Sequence, residues 1–135
     1  MELSTRYLGH SKFEVVARGH RVICDQPREN GGEDAGMSPP EFLLASLATC
    51  AGYYAAQYLE VRGLPSEGLE VKVRAEKAKQ PARLGSFWID VSVPGLEDAH
   101  EAPMLRAVKS CLVHNTLHAQ PAIEIALHRE QPAGV

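Results

Sequence analysis

The succession of periodic segments predicts an α+β fold: three short strands, a long helix, two strands, a second helical region and a last strand. Two stretches carry that reading. Residues 38–63, SPPEFLLASLATCAGYYAAQYLEVRG, have a helix start, a helix body and a helix stop. Residues 68–93 hold two runs of alternating side chains, the mark of strands with one buried face. A βαβ series would interleave helices and strands one for one, and this order does not.

Residues 1–24 come first. Leu3 to Tyr7, Phe13 to Val15 and Arg21 to Cys24 are joined by the turns Gly9-His10-Ser11 and Arg18-Gly19-His20, a three-stranded antiparallel start. Residues 25–37, DQPRENGGEDAGM, are polar and Gly-rich and are expected to form a mobile loop. Ser38-Pro39-Pro40-Glu41 then opens the helix, with Ser as N-cap, Pro at the first helical position and Glu three residues on to close a capping box. At 1.5 Å per residue this helix is about 35 Å long, and Gly63 is its stop. It is apolar nearly all round, with Leu43, Leu47, Cys50 and Tyr54 on one stripe and Leu44, Ala48, Ala51, Ala55 and Leu59 on another. Such a helix should be covered on most sides.

After the turn at 64–68, Leu69, Val71, Val73 and Ala75 alternate with charged residues, and Phe87, Ile89, Val91 and Val93 form the next strand up to Pro94-Gly95. The second helical region spans 98–120, with Met104, Val108 and Cys111 on one stripe; it continues or restarts through Val113 to His118 and must end before Pro121. Ile123, Ile125 and Leu127 predict a last strand over 122–128, followed by a polar tail from Arg129 to Val135. The whole of 1–135 is read as one domain, large enough for a core without disulfide staples.

Composition removes several functions. A net charge of −3 with scattered Lys and Arg lacks the basic stripe of a nucleic-acid binder. The long helix is interrupted by Glu41, Ser46, Thr49, Gln57 and Glu60, which argues against a membrane span. Three cysteines, an odd number, together with an N-terminus MELSTRYLGHSKF without a basic and an apolar leader region, fit a cytoplasmic protein in a reducing compartment. Gly31-Gly32 and Gly36 precede a helix but lack the Lys of a phosphate-binding loop. No cofactor is expected. Neither a G-x-S-x-G nor an H-E-x-x-H motif is present.

The cysteines are the candidates for chemistry. Cys50 and Cys111 both fall on apolar stripes of helical segments, and packing of the two helices would bring the thiols together. Such a pair in a reducing compartment is redox-active rather than structural. The alternative is that each is a small buried hydrophobe. Cys24 ends a strand beside Asp25, which would raise its pKa, and reads as structural. Cys111, His114 and His118 share one helical face but offer only three ligands, one of them needed by the pair, so no metal is expected. His114 is instead a group that could lower a thiol pKa. Glu41 is a candidate to orient an Arg that stabilises a thiolate, but it lies nine residues before Cys50, half a turn away in projection, and the capping box accounts for it.

The two cysteine segments, SPPEFLLASLATCAGYYAAQYLEVRG and CLVHNTLHAQPAIEI, resemble the OsmC-like superfamily, which includes the osmotically inducible protein and the organic hydroperoxide resistance protein. Asp25-Gln26-Pro27 and the stretch from Gly31-Gly32 to Ser38-Pro39 share the likeness, which spans roughly residues 5–128. The resemblance implies an intertwined homodimer with antiparallel sheets wrapped around long central helices. It also implies a thiol peroxidase that reduces alkyl or fatty-acyl hydroperoxides. In that scheme Cys50 becomes a sulfenate, Cys111 resolves it to a disulfide and an external dithiol restores the pair. A non-catalytic relative that binds a small ligand or senses oxidation is the alternative.

The chain departs from the best-known peroxidase branch in two ways. That branch has a Glu ten residues before the first Cys, where this chain has Pro40; Glu41 matches a less characterised branch, as does Cys111-Leu112-Val113-His114-Asn115-Thr116-Leu117. The peroxidases also hold the thiolate with an Arg near the N-terminus, for which Arg6 and Arg18 are the nearest candidates.

Overall fold

A computed structural model of the chain describes residues 1–130, so most of the tail expected from Arg129 to Val135 lies outside the described residues. Strands β1 (Ser4–Gly9), β2 (Lys12–Ala17) and β3 (His20–Cys24) form an antiparallel sheet in that order. Helix α1 (Pro39–Val61) follows, then the hairpin of β4 (Glu70–Ala78) and β5 (Arg83–Ser92). Helices α2 (Glu101–Lys109) and α3 (Leu112–His118) complete the order. Thus the second helical region does not run on through Cys111; it stops at Ser110 and restarts.

Both ends of α1 are set by local chemistry. Glu41 accepts from the backbone N–H of Ser38 at 3.0 Å and from the Ser38 hydroxyl at 2.8 Å. Those donors, the backbone N–H foremost, hold its carboxyl below the usual range. At the other end the N–H of Leu64 reaches Leu59 O and that of Gly63 reaches Glu60 O, the paired bonds of a Schellman stop, with Gly63 at φ 64°.

Within this chain α1 is fully buried on one stripe and half-buried over much of the rest. Leu47, Ala51, Ala55, Tyr58 and Leu59 are buried, whereas Tyr53 and Val61 are exposed. The helix packs on the β4–β5 hairpin and on α2 and α3. Ala55, Tyr58, Leu59 and Met104 form the core cluster, flanked by Leu69, Val91 and Val108. Within this chain the three-stranded sheet does not pack along the helix, and Tyr7, Phe13 and Val22 on it stay exposed.

Two further expectations change. No strand forms over 122–128, and Ile123, Ile125 and Leu127 are 79%, 94% and 85% exposed. A strand exists by its ladder, and neither sheet of this chain pairs with that segment. The 25–37 loop is clamped rather than loose. The buried Asp25 carboxylate accepts from Ser11 Oγ and from the backbone N–H groups of Gln26, Glu33 and Ala35. The Ser11 bond leads those that hold its pKa down to about 2. Gly32 and Gly36 allow the close pass that follows: a Cβ on them would lie 1.9 Å from Gln26 O and 2.1 Å from Ile23 O.

Candidate functional site

Cys50 sits half-buried on the middle of α1. Cys111, buried, occupies the N-cap of α3 with extended backbone at φ −56° and ψ 128°, which is what separates α3 from α2. Packing of α3 on α1 brings the cap against the helix. The two thiols meet there within hydrogen-bond reach, close enough for a disulfide.

The pair is electrically unequal. Burial pushes the Cys50 thiol up, but three donors act against it: the Cys111 thiol and the backbone N–H groups of Val113 and Leu112. The balance leaves Cys50 below the ordinary thiol value. Cys111 is raised, first by burial and then because its proton is committed to Cys50. The two thiols are therefore inequivalent, Cys50 the more readily ionised of the pair. Leu112 and Val113 are ordinary apolar residues in sequence; their role comes from the backbone at the start of α3, and no side-chain pattern signals it.

The other candidates stand elsewhere. Arg6 lies on β1 and pairs with Glu14 at 3.1 Å, a carboxylate that also takes Arg21 at 2.8 Å. Arg18 is in the β2–β3 turn at φ 51°, exposed. Neither is among the groups that lower Cys50 within this chain. Glu41 caps α1, as described. The His114 imidazole does not lower either thiol; its backbone N–H donates to Cys111, while its ring stacks on His118 with centroids 5.8 Å apart and planes 8° apart. Among the described residues no group of three ligating side chains could hold a metal. Cys24 is buried and apart from the pair, its thiol raised by burial and by the Asp25 carboxylate.

A cavity of about 660 Å³ lies between α1, the β4–β5 hairpin and α2–α3. Leu43, Leu47, Phe87, Ile89 and Val108 give it apolar walls, and Ser86, Lys109, His114 and His118 are its polar members. It reaches the pair from the Cys111 side; Cys50 itself is not in the lining.

A long helix backed by a hairpin, with two thiols close enough for a disulfide at its middle, defines a class: α+β proteins equipped for thiol-based redox chemistry. The chain belongs to the OsmC-like protein family, whose family model matches residues 31–126. A Psychrobacter arcticus 273-4 structure, described as an osmotic stress induced and detoxification response protein, superposes with a TM-score of 0.78 at 21% identity over 87% of this chain and 88% of that one. An OsmC-like protein from Mycoplasma pneumoniae gives 0.69 at 18% identity, covering 87% and 86%. The organic hydroperoxide resistance protein OsmC from Legionella pneumophila gives 0.61 at 16%, covering 87% and 88%. At these identities the likeness is one of fold. No curated protein matches the sequence. Among the described residues no helix is long and apolar enough to cross a membrane.

Proposed function

We propose that this chain is a thiol peroxidase for organic hydroperoxides. The observation that carries the reading is the approach of Cys50 and Cys111, close enough for a disulfide, with Cys50 the more readily ionised of the two. The Cys50 thiolate attacks the distal oxygen of R–O–O–H; the O–O bond breaks, the alcohol leaves after taking a proton from solvent, and Cys50 becomes a sulfenic acid. Cys111 then displaces the sulfenate oxygen as water, and the disulfide so formed is reduced by an external dithiol. An apolar cavity against Cys111 suits an alkyl or fatty-acyl group better than hydrogen peroxide. The Legionella pneumophila neighbour is described as an organic hydroperoxide resistance protein. The spacing of Glu41 to Cys50 and the Cys111-x-Val113-x-Asn115-Thr116-Leu117 motif support a position in the less characterised branch of the family.

The working form in this reading is a homodimer in the cytoplasm, with 1–135 as one domain. The bare face of the three-stranded sheet and the exposed Ile123, Ile125 and Leu127 are surfaces that a second copy would cover. The cavity alone would also serve a non-catalytic protein that binds a small apolar ligand, and turnover separates the two readings.

The test is intact mass with peptide mapping after one equivalent of cumene hydroperoxide is added to reduced protein. The expected product is a Cys50–Cys111 disulfide formed within seconds, absent in Cys50→Ser and preserved in Cys24→Ser. Slow oxidation spread over all three cysteines would refute the assignment.

A further inference from the structure

We propose that the bridge between Cys50 and Cys111 is opened at the Cys111 sulfur, by a small dithiol that enters through the apolar cavity, so that Cys50 is the sulfur set free first. The inference rests on the disulfide stage of the peroxidase reading above and concerns which sulfur the reducing thiol attacks. Thiol–disulfide exchange is a displacement, with the incoming thiolate, the attacked sulfur and the departing sulfur close to one line. The incoming thiolate therefore needs room on the side of the attacked sulfur that faces away from its partner.

Cys111 has that room. It is part of the wall of the 660 Å³ cavity, and Cys50 is not. A thiolate in the cavity thus meets Cys111 with Cys50 behind it. Cys111 is only 1% exposed, so a thiol fixed on the surface of a folded protein does not reach it. A small dithiol does, since the cavity falls within the roughly 300–1,000 Å³ of small-molecule sites. The same cavity serves the organic group of the hydroperoxide and then, once the alcohol has left, the dithiol. Cys50 is also the better group to release. The backbone N–H groups of Leu112 and Val113 donate to its sulfur and hold the thiolate as it forms. Cys111, raised by burial and by its neighbour, leaves less readily, and attack on Cys50 would have to expel it.

The steps balance. One thiol of the dithiol gives its proton to solvent and attacks the Cys111 sulfur. A mixed disulfide forms there, the Cys50–Cys111 bond breaks, and its electron pair leaves on Cys50 as thiolate. The second thiol, losing its proton in turn, attacks the sulfur of the first. The dithiol closes to a cyclic disulfide, and Cys111 departs and takes up a proton. The protein has gained two electrons and the dithiol has lost them. The restored Cys111 thiol again donates to Cys50.

The experiment uses the wild-type full chain, bridged with diamide so that no hydroperoxide is needed. The oxidised protein is mixed with mercaptoethanol, a monothiol that stops at the mixed disulfide. Samples are quenched in acid over the first turnover, the freed thiol is capped with N-ethylmaleimide, and both groups are located by peptide mapping. Extrapolated to zero time, the mercaptoethanol adduct should lie on Cys111 and the cap on Cys50, by at least about tenfold over the reverse, as the difference in leaving group and access requires. An initial adduct on Cys50, or an equal split from the earliest sample, overturns the proposal. So does a chain that diamide fails to bridge between Cys50 and Cys111. Failure of the peroxidase reading shows separately, as a chain that bridges with diamide but not with cumene hydroperoxide.

Discussion

Removal of the Cys111 thiol isolates the electrostatics of Cys50. Cys111→Ala deletes one donor to the thiolate and leaves the Val113 and Leu112 N–H groups in place. A hydrogen bond to a charged acceptor is worth about 1.5–3 kcal/mol, and a thiol is a weak donor, so the low end applies. About 1.4 kcal/mol corresponds to a tenfold loss of thiolate at any pH below its titration. The thiolate that remains is more basic and hence a better nucleophile. With a Brønsted coefficient of about 0.45, its intrinsic rate rises about threefold. The two effects oppose, and the net result is about three- to fourfold slower alkylation by iodoacetamide on the acid side. On the alkaline side, where both forms are fully ionised, the variant should react about threefold faster. The assay is the second-order alkylation rate against pH in a Cys24→Ser background, with the site confirmed by mapping. Cys111→Ser, whose hydroxyl can donate, should fall between. Superimposable profiles for parent and Cys111→Ala would refute the donor account of Cys50.

Asp25→Asn should leave stability at neutral pH lower and flatten its acid limb. The native carboxyl is held at about 2, below its unfolded value, so its contribution is full above about pH 4 and disappears as pH falls towards 2. Urea midpoints measured across that window check it; an unchanged acid limb would contradict the clamp. Leu59→Ala removes a fully buried core side chain and should cost about 3 kcal/mol in urea unfolding at fixed protein concentration. A loss under about 1 kcal/mol would mean the cluster around Met104 is not the core. Ile123→Lys with Ile125→Lys should shift sedimentation towards monomer while leaving far-UV circular dichroism unchanged, since neither residue is packed in the single chain. An unaltered dimer would show that the apolar tail is not what joins two copies.

What could be read beforehand was whatever depends on neighbours in sequence. The Glu41 cap, the Gly63 stop and the alternation from Leu69 to Val93 need only local periodicity, and each has its counterpart in the structure. The rest depends on groups far apart in the chain. Asp25 reads as an ordinary loop residue, because its four partners at Ser11, Gln26, Glu33 and Ala35 are gathered only by the fold. A side-chain charge is what a sequence displays, as at Arg6, Arg18 and His114. The donors at Cys50 are the Cys111 thiol and two backbone N–H groups. The break at Ser110–Cys111 has neither Gly nor Pro to announce it. Apolarity all round the long helix says that a face wants cover, not which chain supplies it.

The N–H groups of Leu112 and Val113 also bear on redox poise. They favour the reduced pair, because closing a disulfide removes the anion they are bonded to. A couple whose reduced form is stabilised in this way is more oxidising, by about 30 mV for each 1.4 kcal/mol. Its disulfide is correspondingly easy for a small dithiol to open. In the proposed cycle the start of α3 thus favours the reduced pair over the bridge.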